Sequence, residues 1–212
     1  MCAEAATVVR EAAFHEVRDS QAAFRALLDV LSRPGELRQL PDCGYRAVPP
    51  GLCSPALTIL KTLCDHRVSF SVGSQGRETE LVRYLEVNLA APFKPVPEAD
   101  YVVFDGKSFD EDFHRMNVGS AEFPENAATA VVCVSGLASG DVAAAGPPSC
   151  TLVLAGPGIA DRSVLTVVGL DPRYGEARRA GHARYPLGTD LFFVDPAGRV
   201  AGLPRSCRVE VI

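Results

Sequence analysis

The sequence contains no apolar run long enough to cross a membrane. A membrane-spanning helix needs about 20 consecutive apolar residues, and charged or polar residues or prolines interrupt every stretch of that length. The first 19 residues interleave Glu, Arg and Asp where a signal peptide would have a continuous apolar core. These absences predict a protein that has no membrane partner and that stays in the cytoplasm.

Cysteine pairs with the spacing of a metal or cluster site are also absent. Seven cysteines occur, and the smallest separation between two of them is the ten positions from Cys43 to Cys53. Zinc and iron-sulfur sites usually take two ligands from a tight turn such as C-x-x-C, and an odd number of cysteines is atypical of a disulfide framework. We therefore expect reduced thiols and no metal site.

Basic residues form no run long enough to neutralise a row of phosphates, and the net charge is −5. A protein that binds nucleic acid usually concentrates Lys and Arg so that they neutralise a row of phosphates, so nucleic acid is not an expected partner. Apolar residues make up 47% and charged residues 22% of the chain, a balance typical of a globular protein with a sizeable core. A chain of 212 residues is compatible with one domain, and we expect a single domain over residues 1–212.

Motifs of a self-sufficient enzyme are missing as well. There is no phosphate-binding G-x-x-x-x-G-K-[ST], no G-x-S-x-G and no H-E-x-x-H. In LAGPGI, residues 154–159, two glycines after a predicted strand could bring backbone N–H groups to a phosphate, but no helix start follows, which favours a tight turn between strands. No catalytic residue is predicted, so a subunit of a larger enzyme assembly is the expected role.

Apolar residues at helical spacing predict several helices, separated by turn signals. In the first, Phe24, Leu27, Leu28 and Leu31 share one face, and in the second Ser54 is the predicted N-cap before Pro55. A brief helix is predicted where Ser108 and Glu111 form a capping-box pattern, with Phe113 and Met116 toward the core. The predicted helical ranges are 20–32, 54–65, 78–88, 108–116 and 171–181.

Alternating or continuous apolar runs predict the strands. The run 128–134 is apolar on both of its alternating faces, as expected of a central strand that is covered on each side. The residues between 136 and 149 are small and rich in Gly, Pro and Ser, which predicts a loop. The predicted strands are 67–72, 101–104, 128–134, 151–154, 164–168, a C-terminal hairpin of 190–194 and 199–203, and 208–212. The expected fold is α/β, with a mixed central sheet flanked by helices and an antiparallel C-terminal hairpin.

Four polar residues near predicted strand ends are candidates for ligand binding or for structural roles. Arg205, beside Ser206, could bind a carboxylate or phosphate through its guanidinium fork, or could form an ion pair with Asp190 or Glu210. Glu125 precedes the predicted central strand, where loop residues of α/β folds often bind ligands, but its position favours capping or turn formation. The candidates are therefore Arg205, Ser206, Asp190 and Glu125.

Five segments in order resemble the PhnH family, a subunit family of the bacterial carbon-phosphorus lyase system. They are FRALLDVLSRPGEL (24–37), LKTLCD (60–65), FPENAAT (123–129), LAGPGI (154–159) and YPLGTDLFFVDPAGRVAGLPRSCRVEV (185–211). Each segment alone is weak, but their order and spacing match over nearly the whole chain.

The resemblance implies a subunit of the carbon-phosphorus lyase core complex, as a homodimer with the G, I and J subunits. That complex supports formation of ribose 1-phosphonate 5-triphosphate from ATP and a phosphonate, either of which could contact this chain at a shared site. It also implies a fold like the large domain of pyridoxal-phosphate-dependent transferases, without the cofactor. The alternative is a stand-alone nucleotide- or phosphonate-binding protein.

Two positions depart from the pattern of the family. Ala127 stands where the family has a glycine in PExGAT, and Cys207 stands where the family has the second threonine of PRTT. If position 127 required a positive φ, the loop would have to be built differently here. A ligand contact through a hydroxyl at position 207 is in doubt.

Overall fold

The computed structural model describes residues 13–46, 48–74, 79–141 and 149–212. Over these ranges the chain forms α-helices, short 3-10 helices and strands that pair into two sheets. The α-helices are α1 Arg18–Ser32, α2 Ser54–Leu63, α3 Thr79–Leu89 and α4 Pro172–His182. None of the described helices is long and apolar enough to span a membrane.

Ten strands follow one another in the described part of the chain. They are β1 Arg38–Gln39, β2 Phe70–Val72, β3 Tyr101–Asp105, β4 Thr129–Cys133, β5 Gly136–Ser139, β6 Ser149–Ala155, β7 Ser163–Val168, β8 Asp190–Val194, β9 Arg199–Leu203 and β10 Arg208–Val211.

The larger sheet is mixed, with six strands in the order β1-β9-β8-β4-β3-β2. Strands β2, β3, β4 and β8 run parallel. At one edge of the sheet, β9 pairs antiparallel with β8, and β1 pairs antiparallel with β9. The apolar run predicted as a central strand is β4, which lies between β3 and β8 and is buried at four of its five positions. The predicted mixed sheet, central strand and C-terminal hairpin are therefore confirmed.

The smaller sheet is antiparallel, with the order β10-β6-β7-β5. The prediction of a loop from 136 to 149 is wrong at its start, because Gly136–Ser139 forms β5 and pairs with β7. Its small side chains hide the usual alternation, and only Leu137 is large and buried. Residues 142–148, which belong to the same predicted loop, lie outside the described residues.

The two sheets and the helices form layers with an apolar core on each face of the larger sheet. One face packs on α1, α2 and α3 through side chains such as Val131 and Phe192, and the other packs on the smaller sheet and α4 through Val132 and Phe193. Neighbouring residues of one strand thus enter different cores because successive side chains point to opposite faces. Only one face of the sheet is covered by several helices, whereas helices were expected around it.

The buried face of α1 is not centred on the four apolar residues that share a side. Leu27 is buried, but Phe24 and Leu28 are 47% and 53% exposed. The core contacts come instead from Ala23, Leu27 and Val30. At Val30 the backbone of α1 lies very close to β9. A Cβ atom added to Gly202 in β9 would lie 2.8 Å from the backbone carbonyl of Val30.

Some predicted boundaries and caps shift by a few residues. The N-cap of α2 is Cys53 rather than Ser54. The brief helix is a 3-10 helix, Glu111–Arg115, and the Asp110 side chain caps it by accepting from the backbone N–H of Asp112. Phe113 and Met116 are buried, as the sequence predicts.

Two strands differ from their predicted environment. The strand predicted as half-buried over 67–72 shortens to β2 and is buried at every position, because helices cover it and Phe93 bridges to its outer edge. The predicted last strand, β10, joins the smaller sheet beside β6 rather than extending the hairpin. Its predicted alternation is confirmed, since Arg208 and Glu210 are exposed and Val209 is buried.

Asp195 does more than begin the hairpin turn between β8 and β9. Its buried carboxylate accepts from the backbone N–H groups of Leu137 and Arg199, at 3.1 and 3.0 Å, and from Nε of Arg199 at 2.7 Å. The bond to Leu137 connects the hairpin with β5, so this turn ties the two sheets together.

The close contact between α1 and β9 generates the first prediction. In Gly202→Ala the new methyl group meets backbone atoms of α1, which cannot rotate away, so the free energy of unfolding should fall by about 2–3 kcal/mol. Gly181→Ala is the control, because a Cβ at that helical position meets nothing within 4 Å and alanine favours a helix. Urea unfolding of both variants measures the difference, and equal stabilities would contradict the packing described.

Candidate functional site

Arg205 and Asp190, two of the predicted site residues, form an ion pair at the amino-terminal end of β8. Nη2 of Arg205 donates to Oδ2 of Asp190 at 2.7 Å, and Nε lies 3.2 and 3.3 Å from the two carboxylate oxygens. The backbone N–H of Arg205 donates to Oδ1 of Asp190 at 2.6 Å. The side chains are 18% and 23% exposed, so solvent screens the pair only partly.

A third element joins this ion pair. Nη1 of Arg205 donates to the backbone carbonyl of Pro124, in the 3-10 helix Pro124–Asn126 that precedes β4. The guanidinium is therefore engaged on both edges of its fork by atoms of the protein itself. Of the alternatives left by the sequence, the ion pair with Asp190 is the observed one, while Glu210 lies 3.3 Å from Arg162.

Ser206 and Glu125 lie near the ion pair without joining it. Glu125 is exposed on the 3-10 helix, one residue beyond the carbonyl that Arg205 contacts. Ser206 is half-buried, and its backbone carbonyl packs against Gly156, where an added Cβ would lie 3.1 Å away. The LAGPGI segment is thus a turn between β6 and β7 that packs on the 204–207 turn, and no helix follows it.

The two departures from the family pattern have simple local explanations. Ala127 has a φ of −69°, which any residue can adopt, so this loop does not require a glycine. Cys207 is fully buried in the core between the sheets, and burial raises the pKa of its thiol. A side chain in that position packs the core and has no exposed group to offer to a ligand.

Arg178 on α4 holds the same turn from the other side, and the sequence did not single it out. Its Nη2 donates to the carbonyls of Pro204 and Cys207 at 2.7 and 3.2 Å. The residue is 4% exposed, and its Nε has no hydrogen-bond partner in the described chain. Burial lowers the pKa of Arg178. The Arg-rich composition of 173–184 was the only available signal, and it does not show which arginine is buried.

Two thiols meet at the opposite, carboxyl-terminal end of the parallel strands. Cys133 ends β4 and Cys53 precedes α2, and their Sγ atoms are 3.4 Å apart. They border a cleft of about 160 Å³ that Asp105, Lys107 and Ser135 also line. Ligands of open α/β sheets commonly bind beyond the carboxyl ends of the strands. The sequence does not reveal this pair, because 80 positions separate the two cysteines.

The two thiols differ in acidity. The hydrogen bond between them lowers the pKa of Cys53 and raises that of Cys133, which burial raises further. Cys53 is half-buried, whereas the other described cysteines are buried. Because the thiolate is the nucleophile, Cys53 is the thiol that should react first with a small electrophile.

A metal ion would need a cluster of ligands, and a pyridoxal cofactor would need a lysine in a buried pocket beside a strand. Within the described ranges, no three His, Cys, Asp or Glu residues lie close enough together to hold a metal ion. Lys61 lies on α2, where its Nζ donates to the carbonyl of Asn88 at 3.2 Å, and Lys94 and Lys107 lie outside the helices and strands. The expectations of no metal and no cofactor remain predictions.

Comparison with known proteins gives matches over almost the whole chain. The family model described as bacterial phosphonate metabolism protein (PhnH) matches residues 12–210. A putative C-P lyase subunit protein, HtxG of Stutzerimonas stutzeri, is 34% identical over 191 residues, which is 90% of this chain and 86% of the relative. The alpha-D-ribose 1-methylphosphonate 5-triphosphate synthase subunit PhnH of Rhizobium meliloti (strain 1021) is 26% identical over 195 residues, 92% of each chain.

A double-mutant cycle tests the Arg205–Asp190 pair. Asp190→Asn and Arg205→Met should each lower the free energy of unfolding by about 2 kcal/mol, since each leaves a partly buried charge without its partner. Their coupling energy should be about 1–2 kcal/mol. The exposed pair Arg162–Glu210, replaced in the same way, is the control and should show no measurable coupling. Additive effects of Asp190→Asn and Arg205→Met would contradict the structural role.

Alkylation tests the thiol pair. In a Cys2→Ser background, because Cys2 lies outside the described residues, iodoacetamide at pH 8 should modify Cys53 first, as measured by peptide mass spectrometry. Cys133→Ala should slow the reaction of Cys53 several-fold, because the pKa of Cys53 then rises. Cys150→Ala, which removes a buried thiol from the other core, should leave the rate unchanged. An unchanged rate in Cys133→Ala would refute the contact.

Proposed function

The chain belongs to the PhnH family, and from this premise we propose that it is a subunit of a carbon-phosphorus lyase assembly in the breakdown of organic phosphonates. The observation that carries the proposal is the match of the family model to residues 12–210, nearly the entire sequence. Both relatives are named as subunits, and each aligns with this chain over most of its own length. A match to only a fragment of these relatives would not support the same role as a subunit.

The reaction proposed for the assembly joins a phosphonate to the ribose of ATP. One relative is named as a subunit of the synthase of ribose 1-methylphosphonate 5-triphosphate. In such a reaction a phosphonate oxygen attacks C1 of the ribose and adenine leaves, so that the triphosphate stays on the product. We propose that this chain supports that step within the complex, beside the G, I and J subunits, with ATP or the phosphonate bound at a shared site.

Internal bonding of the predicted site residues favours a role within an assembly over independent catalysis. The alternative, a stand-alone nucleotide- or phosphonate-binding protein, would use Arg205, Asp190 and the turn 154–159. Arg205 is bonded to Asp190 and Pro124, and the turn connects two strands rather than a strand and a helix. An anion could reach Arg205 only by replacing bonds that the folded chain already makes.

Further features that the resemblance implies belong to the same proposal. They are a homodimer, a cytoplasmic location, a single domain over 1–212, absence of pyridoxal phosphate, and likeness to the large domain of transferases that use this cofactor. The single domain is supported by the six-stranded sheet, because each of its faces forms one side of an apolar core. Neither core could be closed without that sheet.

Co-purification tests the assembly directly. The chain carries an affinity tag and is co-expressed with the G, I and J subunits of its own host, and the complex is analysed by native mass spectrometry. All four subunits should elute together, and deletion of the gene should abolish growth on methylphosphonate as the phosphorus source. The tag expressed without the chain is the control. A folded chain that never associates with the other subunits would refute the proposal.

A further inference from the structure

A cavity of about 260 Å³ lies beside the C-terminal half of α4. The 3-10 helix Glu111–Arg115 and the segment 184–189, which leads into β8, form its other walls. It is smaller than the sites of drug-sized ligands, which are about 300–1,000 Å³. The cavity is therefore of a size for a small ligand rather than for a nucleotide.

All ionisable side chains on the wall of this cavity are basic. They are Arg178, Arg184 and His114, while the remaining lining residues are apolar, glycine or, at Thr189, a neutral hydroxyl. Arg178 is buried and Arg184 is exposed at the surface. No Asp or Glu is among these lining residues to neutralise the two arginines.

Arg178 is the decisive residue because its charge is buried without a carboxylate. It is the only arginine of the described chain that is less than a tenth exposed, and it forms no salt bridge within that part. Two backbone carbonyls accept from its Nη2, but its Nε has no partner. Arg199 and Arg205, which are more exposed, each bind an Asp. Burying an unpaired charge is costly, so a bound anion would remove a cost that the fold otherwise carries.

We propose that this cavity binds a small tetrahedral oxyanion, a phosphate or phosphonate group, between Arg178 and Arg184. Arginine presents planar pairs of N–H donors that match the oxygens of such groups. Two arginines suit a doubly charged group better than a singly charged, planar carboxylate. Thr189 and His114 add polar groups to the lining of the cavity.

Two sources of negative charge near the cavity are already engaged. The C-terminal carbonyls of α4 would repel an anion, but those of Ala180, Gly181 and His182 accept from the N–H groups of the three residues that follow the helix. Asp190, whose charge acts on Arg178, is held by Arg205. The Arg205–Asp190 pair thus leaves the charge of Arg178 available to a ligand.

This inference deepens the proposed function and in that sense rests on it, because it assigns the phosphonate of the shared site to this cavity; its failure is distinguishable, because loss of anion binding would leave co-purification with the G, I and J subunits unchanged. The purified chain should bind inorganic phosphate and methylphosphonate in isothermal titration, at one site per chain, and acetate about tenfold more weakly or not at all. Binding should also raise the thermal midpoint in proportion to the logarithm of the ligand concentration above Kd. Titration of both anions shows whether the site prefers the phosphonate to free phosphate.

Variants locate the site. Arg184→Ala should weaken binding of both anions about tenfold, the loss of a charge-assisted hydrogen bond. Arg179→Ala removes an exposed charge from α4 outside the cavity lining and should leave Kd unchanged. Arg178→Gln should abolish binding, and if that variant does not fold, Arg184→Ala against Arg179→Ala decides. Absence of saturable binding to the wild type, or equal affinities in Arg184→Ala and Arg179→Ala, would overturn the proposal.

Discussion

The ion pair of Arg205 with Asp190 fixes the point at which the chain leaves one sheet and enters the other. Strand β9 ends at Leu203 in the six-stranded sheet, and β10 begins at Arg208 in the four-stranded sheet. The turn between them is held by Arg205, which bonds to the start of β8, and by Arg178, which reaches two of its carbonyls from α4. The two arginines therefore hold the turn that joins the two layers. One of them is neutralised by a carboxylate, and the other is not.

Local signals in the sequence were sufficient for most elements but not for their assembly. The hairpin of β8 and β9 follows from a turn of Asp195, Pro196 and Gly198 between apolar runs, and β4 follows from its continuous apolar run. Strand β5 was missed because small residues carry no alternation, and its pairing with β7 is a contact between distant residues. The placement of β10 in a second sheet depends on β6 and not on its own sequence.

The site residues illustrate the same limit. A single sequence shows that Arg205 and Asp190 flank the hairpin, and it suggests their pairing, but not that Pro124 closes the fork. The buried Arg178 resembles its exposed neighbours Arg173 and Arg179 in sequence, and only packing distinguishes them. Membership of the PhnH family gives the biological setting, while the geometry shows that Arg205 is paired with a carboxylate and that the described residues offer none to Arg178.

The central claim is that Arg205 is paired with Asp190 within the fold and that a bound oxyanion contacts Arg178 instead. A crystal structure of the chain with methylphosphonate tests both parts at once. The account predicts the phosphonate group between Arg178 and Arg184, with Arg205 still bonded to Asp190. A phosphonate bound to Arg205, with Asp190 displaced from it, would contradict the account.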